Sequence, residues 1–175
     1  MNIIIKNITT PVGELVLGSY QDKLCIADWR YRKMRGAIDS RIQNGLNAKF
    51  NEGTSLVIEE TEKQLAEYFE GNRTEFSIPL LFVGTDFQKM VWNALVKIQY
   101  GKTETYLGLS KILGTEKAIR AVATANGANA ISVLVPCHRI IGSDGSLVGY
   151  AGGLQAKKKL LALENSARKI QMELF

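Results

Sequence analysis

An α+β unit of short antiparallel strands and one helix, followed by a mainly α second unit, is the fold class that this 175-residue chain predicts. Three observations carry it. Apolar runs separated by turn residues fill the first thirty positions, a helical period sets in near residue 87, and from there short helical stretches alternate with glycine-marked stops.

From Asn2 to Trp29 the runs IIIKNI, ELVLGSY and LCIADW are broken by TTPVG and QDK, which predicts strands joined by turns in an antiparallel meander. RIQNGLNAKFNEGTS is polar and glycine-containing and predicts no element. SLVIEETEKQLAEYFEG then predicts a helix ending at Gly71, and FSIPLLF an extended segment. VGTD is a linker and cap, because Phe87, Val91, Leu95 and Ile98 follow it at spacings of 4, 4 and 3 on one helix face. YLGLSKILG is a short helix stopped by Gly114, Thr115 is placed to cap the next, and EKAIRAVATAN runs to Asn126, the outline of a helix-turn-helix. On that second helix Ala118, Ala121, Ala123 and Ala125 leave a slim surface from which Arg120 projects. The domains are expected at 1–83, a support unit, and 84–175, the functional unit.

At 46% hydrophobic and 22% charged residues the chain can bury a real core. No stretch approaches the roughly 18 to 20 apolar residues of a membrane span, and MNIIIKNITT lacks the apolar core of a secretory signal, so a cytoplasmic protein without membrane contact is expected. The net charge of +5 is uneven: 10 basic against 11 acidic side chains up to residue 84, 12 against 6 beyond it. Such a half suits a polyanion, although lysines on a solvated helix face produce the same count. One histidine and two cysteines do not make a zinc site.

That histidine lies beside a cysteine in VLVPCHRI. A free thiol with a pKa near 8.5 is only a few per cent thiolate at neutral pH, so a nucleophilic Cys137 needs a base, and His138 is the one imidazole in the chain. Adjacent side chains point in different directions, which makes a bridging water more plausible than direct contact. Glu164 in LLALEN is a candidate partner for the imidazole. The same pair also fits a buried structural turn. Cys25, in an apolar run, reads as core.

VPCHRII, with YAGGLQAKKKLLALE beginning thirteen residues after the cysteine and KAIRAVATANGAN before it, resembles the O6-alkylguanine-DNA alkyltransferases, the methylated-DNA–protein-cysteine methyltransferases. FQKMVWNAL and YGKTETY fit the same family, and the resemblance is specific over residues 87–164. It implies a ribonuclease H-like first domain and a winged helix-turn-helix in the second. It also implies a single-turnover transfer of an alkyl group from O6 of guanine, or O4 of thymine, to the protein's own cysteine. Cys137 would be the acceptor, with His138 acting through a water and oriented by Glu164, and Tyr106 would protonate the departing guanine. Double-stranded DNA would be entered from the minor groove, with Arg120 filling the space of the flipped nucleotide. Asn129 would tie the turn before the cysteine, the carbonyls of Cys137 and Ile140 would read the guanine amino group, and Tyr150, Ala151 and Gly152 would close over the base. The thioether product has no carbonyl for water to attack, so the protein would be consumed, as a monomer, without cofactor or metal.

The chain departs from the family pattern at Gln99, Ala130 and Leu107, where proline, proline and glycine are usual, and Ala151 replaces a serine found in some relatives. Asn126 stands where a larger residue often lies beneath the flipped base. A non-catalytic helix-turn-helix protein that binds alkylated DNA or regulates transcription, and a cysteine hydrolase, are the competing readings.

Overall fold

The computed structural model describes residues 1–173, with side chains through residue 165. Three strands open the chain, β1 (Asn2–Thr10), β2 (Gly13–Tyr20) and β3 (Lys23–Trp29), and they form the expected antiparallel meander. The β1–β2 turn is closed by Thr10 Oγ1 donating to the Gly13 carbonyl at 2.7 Å. At the β2–β3 turn Gln21 and Asp22 both take positive φ, 48° and 62°, the twist a two-residue hairpin requires.

Two elements between residues 35 and 52 are not expected from the sequence. Helix α1 (Arg35–Leu46) buries only Ile38 and Ile42, and strand β4 (Lys49–Glu52) adds parallel to β1, giving the order β3-β2-β1-β4. One apolar pair per three turns, diluted by Gly36, Ser40 and Gly45, is too thin a stripe to show as a period.

Helix α2 (Leu56–Phe69) starts at Ser55, whose hydroxyl accepts from Ile58 N, and stops just before Gly71 at φ +81°. It lays Ile58, Leu65 and Tyr68 into the core. The extended segment after it runs along the free edge of β3: Leu24 N donates to Pro79 O and Leu81 N to Leu24 O, each at 2.8 Å.

Helix α3 (Asp86–Val96) begins with a full capping box between Thr85 and Gln88 and buries Val91, Trp92 and Leu95, while Ile98 lies past its end. Strand β5 (Glu104–Thr105) leads into α4 (Tyr106–Ile112), and α5 (Ile119–Gly127) follows the turn at Gly114, φ +69°. Thr115 does not cap α5, because a 3-10 turn over Glu116–Ala118 intervenes and the Thr115 hydroxyl turns back to the Ser110 carbonyl. After a second 3-10 turn, Cys137–Arg139, strand β6 (Ile140–Ile141) pairs parallel with β5, and α6 (Leu154–Glu173) closes the described chain.

The two halves share one core, in which Leu15, Leu17 and Tyr68 pack with Val91, Leu134 and Leu160. Backbone bonds cross as well: Ala27 N donates to Ala130 O at 2.8 Å and Ser132 N to Ala27 O at 2.7 Å. The edge of β3 thus carries the segment that leads to Cys137.

Candidate active site

The seven residues before the cysteine turn are held by a single side chain. Asn129 Oδ1 accepts from Ile131 N and its Nδ2 donates to Val135 O, both at 2.9 Å, so one amide clasps both ends of the loop. Within it Val133 is held at φ +71°, a conformation a β-branched residue adopts only when its surroundings impose it. Pro136 then fixes the entry to the 3-10 turn, where Cys137 N donates to Val135 O at 2.8 Å and Arg139 N to Pro136 O at 3.0 Å.

Cys137 is buried, and burial pushes its thiol up, while the Asn129 amide and the charge of Lys157 pull it back down. Its side chain makes no hydrogen bond to His138 among the described residues. His138 faces the other way: it is fully buried, and its Nε2 meets Glu164 Oε1 at 2.8 Å. Burial alone favours a neutral Glu164, but hydrogen bonds from His138 and Arg139 outweigh it and hold the carboxyl down at about 2. An ionised carboxylate only accepts, so the proton of a neutral imidazole sits on Nε2 and the lone pair is on Nδ1. That Nδ1 is enclosed and has no hydrogen-bond partner among the described residues. Burial lowers the His138 pKa and keeps the ring neutral, with Glu164 opposing and the Arg139 and Lys157 charges assisting.

Three residues around this pair escaped the sequence. Arg139 forks onto Glu164 through Nε and Nη2, at 3.0 Å to Oε2 and 2.8 Å to Oε1, and its Nη1 donates to the Ile98 carbonyl at 2.6 Å. Tyr68, from α2, donates to Glu164 Oε1 at 2.8 Å. Lys157 is buried and donates to the carbonyls of Ile140, Val148 and Gly149 at 2.5, 3.1 and 3.2 Å. The available signal for Lys157 was its position seven residues before Glu164, two turns along the same face of α6. Arg139 lay within the quoted PCHR; nothing in the sequence linked Tyr68 to Glu164.

Both carbonyls expected to read a base are already engaged. Cys137 O accepts from Ile140 N, and Ile140 O accepts from Lys157, leaving one lone pair on each. Tyr106, at the start of α4, donates to Val148 O at 3.2 Å, and burial and the neighbouring Cys137 raise its pKa. Tyr150 stands edge-on between two rings, 5.8 Å from Trp29 and 6.4 Å from His138 by centroid, with its hydroxyl enclosed. Gly152 lies so close to the Trp29 indole that a Cβ would collide with it. With Ala151 they line a cavity of about 520 Å³ that also takes in Tyr31 and Met34; Cys137 does not line it. Arg120 is exposed on α5, and Asn126 is buried on the same helix with Oδ1 unpartnered.

Comparison with known proteins finds relatives along most of the chain. The ribonuclease-like domain of 6-O-methylguanine DNA methyltransferase matches residues 3–82, and its DNA binding domain matches residues 86–166. The methylated-DNA–protein-cysteine methyltransferase of Methanosarcina acetivorans is 40% identical over 158 residues, 90% of this chain and 95% of its own. That of Mycobacterium leprae is 39% identical over 173 residues, 97% of both. Among solved structures, the O6-methylguanine methyltransferase of Mycobacterium tuberculosis superposes with a TM-score of 0.80 at 36% identity, covering 94% of each chain. The same protein in complex with DNA gives 0.80 at 37% identity over 94% of each chain. With both halves matched and relatives near 40% identity spanning nearly its whole length, the chain belongs to the 6-O-methylguanine DNA methyltransferase family.

Proposed function

We propose that Cys137 takes the alkyl group from O6 of guanine in double-stranded DNA, once per protein molecule, and that His138, Glu164 and Tyr106 drive the transfer. The observation that carries the reading is the unpartnered Nδ1 of His138, one residue from the buried thiol, on a ring whose Nε2 is committed to Glu164. The thiol proton passes to that nitrogen through a water. The thiolate attacks the alkyl carbon, the carbon–O6 bond breaks, and its electron pair goes to the guanine ring, which takes a proton from Tyr106. His138 and Tyr106 then return to neutrality by exchange with solvent. Protonation matters because guanine leaves poorly as an anion and readily as a neutral base.

Arg120 on α5 fills the gap left by the extruded nucleotide from the minor-groove side, and the remaining lone pairs of the Cys137 and Ile140 carbonyls accept from the guanine amino group. Asn129 holds the cysteine turn, and Tyr150, Ala151 and Gly152 cover the base. Residues 84–175 carry the chemistry and DNA contact, and residues 1–83 support them. The work is done in the cytoplasm; among the described residues no helix is long and apolar enough to cross a membrane.

Intact-protein mass spectrometry after incubation with a duplex containing O6-methylguanine tests this. One added methyl per chain, on the Cys137 peptide, is the expected result, and Cys137→Ser is expected to bind the duplex and gain nothing, since an alcohol near pKa 15 is not ionised by imidazole. Binding without any gain in mass by the unaltered protein would mean a non-catalytic lesion binder, and repeated release of product a hydrolase.

A further inference from the structure

From the first domain, Tyr68 reaches the His138–Glu164 pair. Tyr68 is fully buried, and its ring is fixed among Phe69, Phe76 and Tyr100, with centroids 5.2, 5.5 and 6.1 Å away. From that setting its hydroxyl donates to Glu164 Oε1 across 96 positions of sequence. Burial and the adjacent carboxylate raise its pKa, so the phenol keeps its proton and remains a donor.

The two oxygens of Glu164 are loaded unequally. Oε1 accepts from His138 Nε2, Arg139 Nη2 and Tyr68 OH, each at 2.8 Å, whereas the shortest bond to Oε2 is that from Arg139 Nε at 3.0 Å. A planar guanidinium favours a parallel two-oxygen fork and, being charged, outcompetes a neutral imidazole for a carboxylate. Arg139 already makes that fork, but a guanidinium alone leaves the carboxylate free to shift along it and away from His138. The tyrosine pins Oε1 at the spot where the imidazole must donate. We propose that Tyr68 is a positioning residue for alkyl transfer, holding Glu164 Oε1 on His138 Nε2 so that the Nδ1 lone pair stays available to the Cys137 proton. The proposal rests on the roles given above to His138 and Glu164, and it assigns the first domain a part in thiol activation.

Tyr68→Phe keeps the ring and removes only the donor. Because the chain has one histidine, ¹⁵N labelling yields a single pair of ring nitrogens from the full-length protein. The unaltered protein is expected to show one tautomer, protonated on Nε2. In Tyr68→Phe the two nitrogen shifts should move toward each other as the tautomers mix, and single-turnover transfer from an O6-methylguanine duplex should slow about tenfold, a fraction of what a whole acid-base group contributes. Affinity for unmodified duplex should not change. A purely structural tyrosine would lower the melting temperature and leave the shifts and rate alone, which would overturn the proposal. Glu164→Gln separates the two levels: if it transfers at the normal rate, the His138–Glu164 reading itself fails; if it is slow while Tyr68→Phe is normal, only the role of Tyr68 fails. Should Tyr68→Phe not fold, difluorotyrosine at position 68 changes hydroxyl acidity with the ring retained, and unmoved His138 shifts would equally overturn the assignment.

Discussion

Both cysteines of this chain are buried, at 2% and 4% exposure, so burial does not distinguish a nucleophile from a core residue. What surrounds the sulfur does. Cys25 sits on β3 with its thiol toward the Gly18 carbonyl at 3.6 Å, and burial pushes it up to about 12. It has no imidazole beside it, and no thiolate forms there at neutral pH. Cys137 has the Asn129 amide and the Lys157 charge opposing the effect of burial, with His138 next in sequence. Cys25→Ala is therefore expected to leave the one-methyl stoichiometry and the transfer rate intact, while lowering stability by about 1 kcal/mol from the small void left in the sheet. Chemical denaturation and the mass measurement together check this, and loss of transfer in a folded Cys25→Ala protein would show that two cysteines take part.

The helix-turn-helix was legible because α4 and α5 are separated by Gly114 in a left-handed conformation, a position that glycine marks in any sequence. The start of α5 was not, since Thr115 spends its hydroxyl on the preceding helix and the chain tightens into a 3-10 turn. α1 was illegible for a different reason, its two buried isoleucines giving no period. On α5 the small residues do not form one surface: Ala125 is buried, Trp92 Nε1 donates to its carbonyl at 2.9 Å, and Ala121 and Arg120 face outward. That division predicts what removal of Arg120 does. A phosphate-binding arginine contributes counterion release to all DNA alike and about one unit of salt slope. An arginine that occupies the vacated stack instead offsets the few kcal/mol of extruding a paired base. Arg120→Ala should thus slow repair of duplex O6-methylguanine by tenfold or more, following roughly 1.4 kcal/mol per decade, and barely change reaction with the free methylated base. A mispair opposite the lesion should restore part of the rate. Equal slowing on duplex and free base would move Arg120 from the helix's outer face into the pocket or the fold.

At the scale of the molecule, the PCHR turn was legible because its chemistry is contiguous, whereas the seam that supports it joins distant positions. Nothing in the local sequence around Tyr68 or Lys157 points to a shared site, yet the fold brings both to the PCHR turn and its Glu164 partner. Arg32 does the same at the end of α5, donating to the carbonyls of Gly127 and Asn129 at 2.7 and 3.3 Å while paired with buried Asp28. With a common core, a backbone ladder and these ties, the halves should unfold in one transition. Its pH dependence follows from the seam. His138 is held below its ordinary 6.5 and Glu164 falls from 4.5 to about 2, so for both groups the unfolded chain binds protons more readily. Stability is then fully present above about pH 6.5, begins to fall as unfolded histidine protonates, and falls further below about pH 4.5 until Glu164 itself takes a proton near pH 2. Urea denaturation from pH 7 to pH 3 should show that loss in both domains at once, followed by Trp29 and Trp92 fluorescence in single-tryptophan variants. In Glu164→Gln the limb below pH 4.5 should flatten from a lower starting stability, because the neutral amide no longer titrates and leaves Arg139 without its counter-charge. A limb of unchanged steepness in that variant would place the acid sensitivity elsewhere, and separate midpoints for the two tryptophans would mean that the seam does not bind the halves into one cooperative unit.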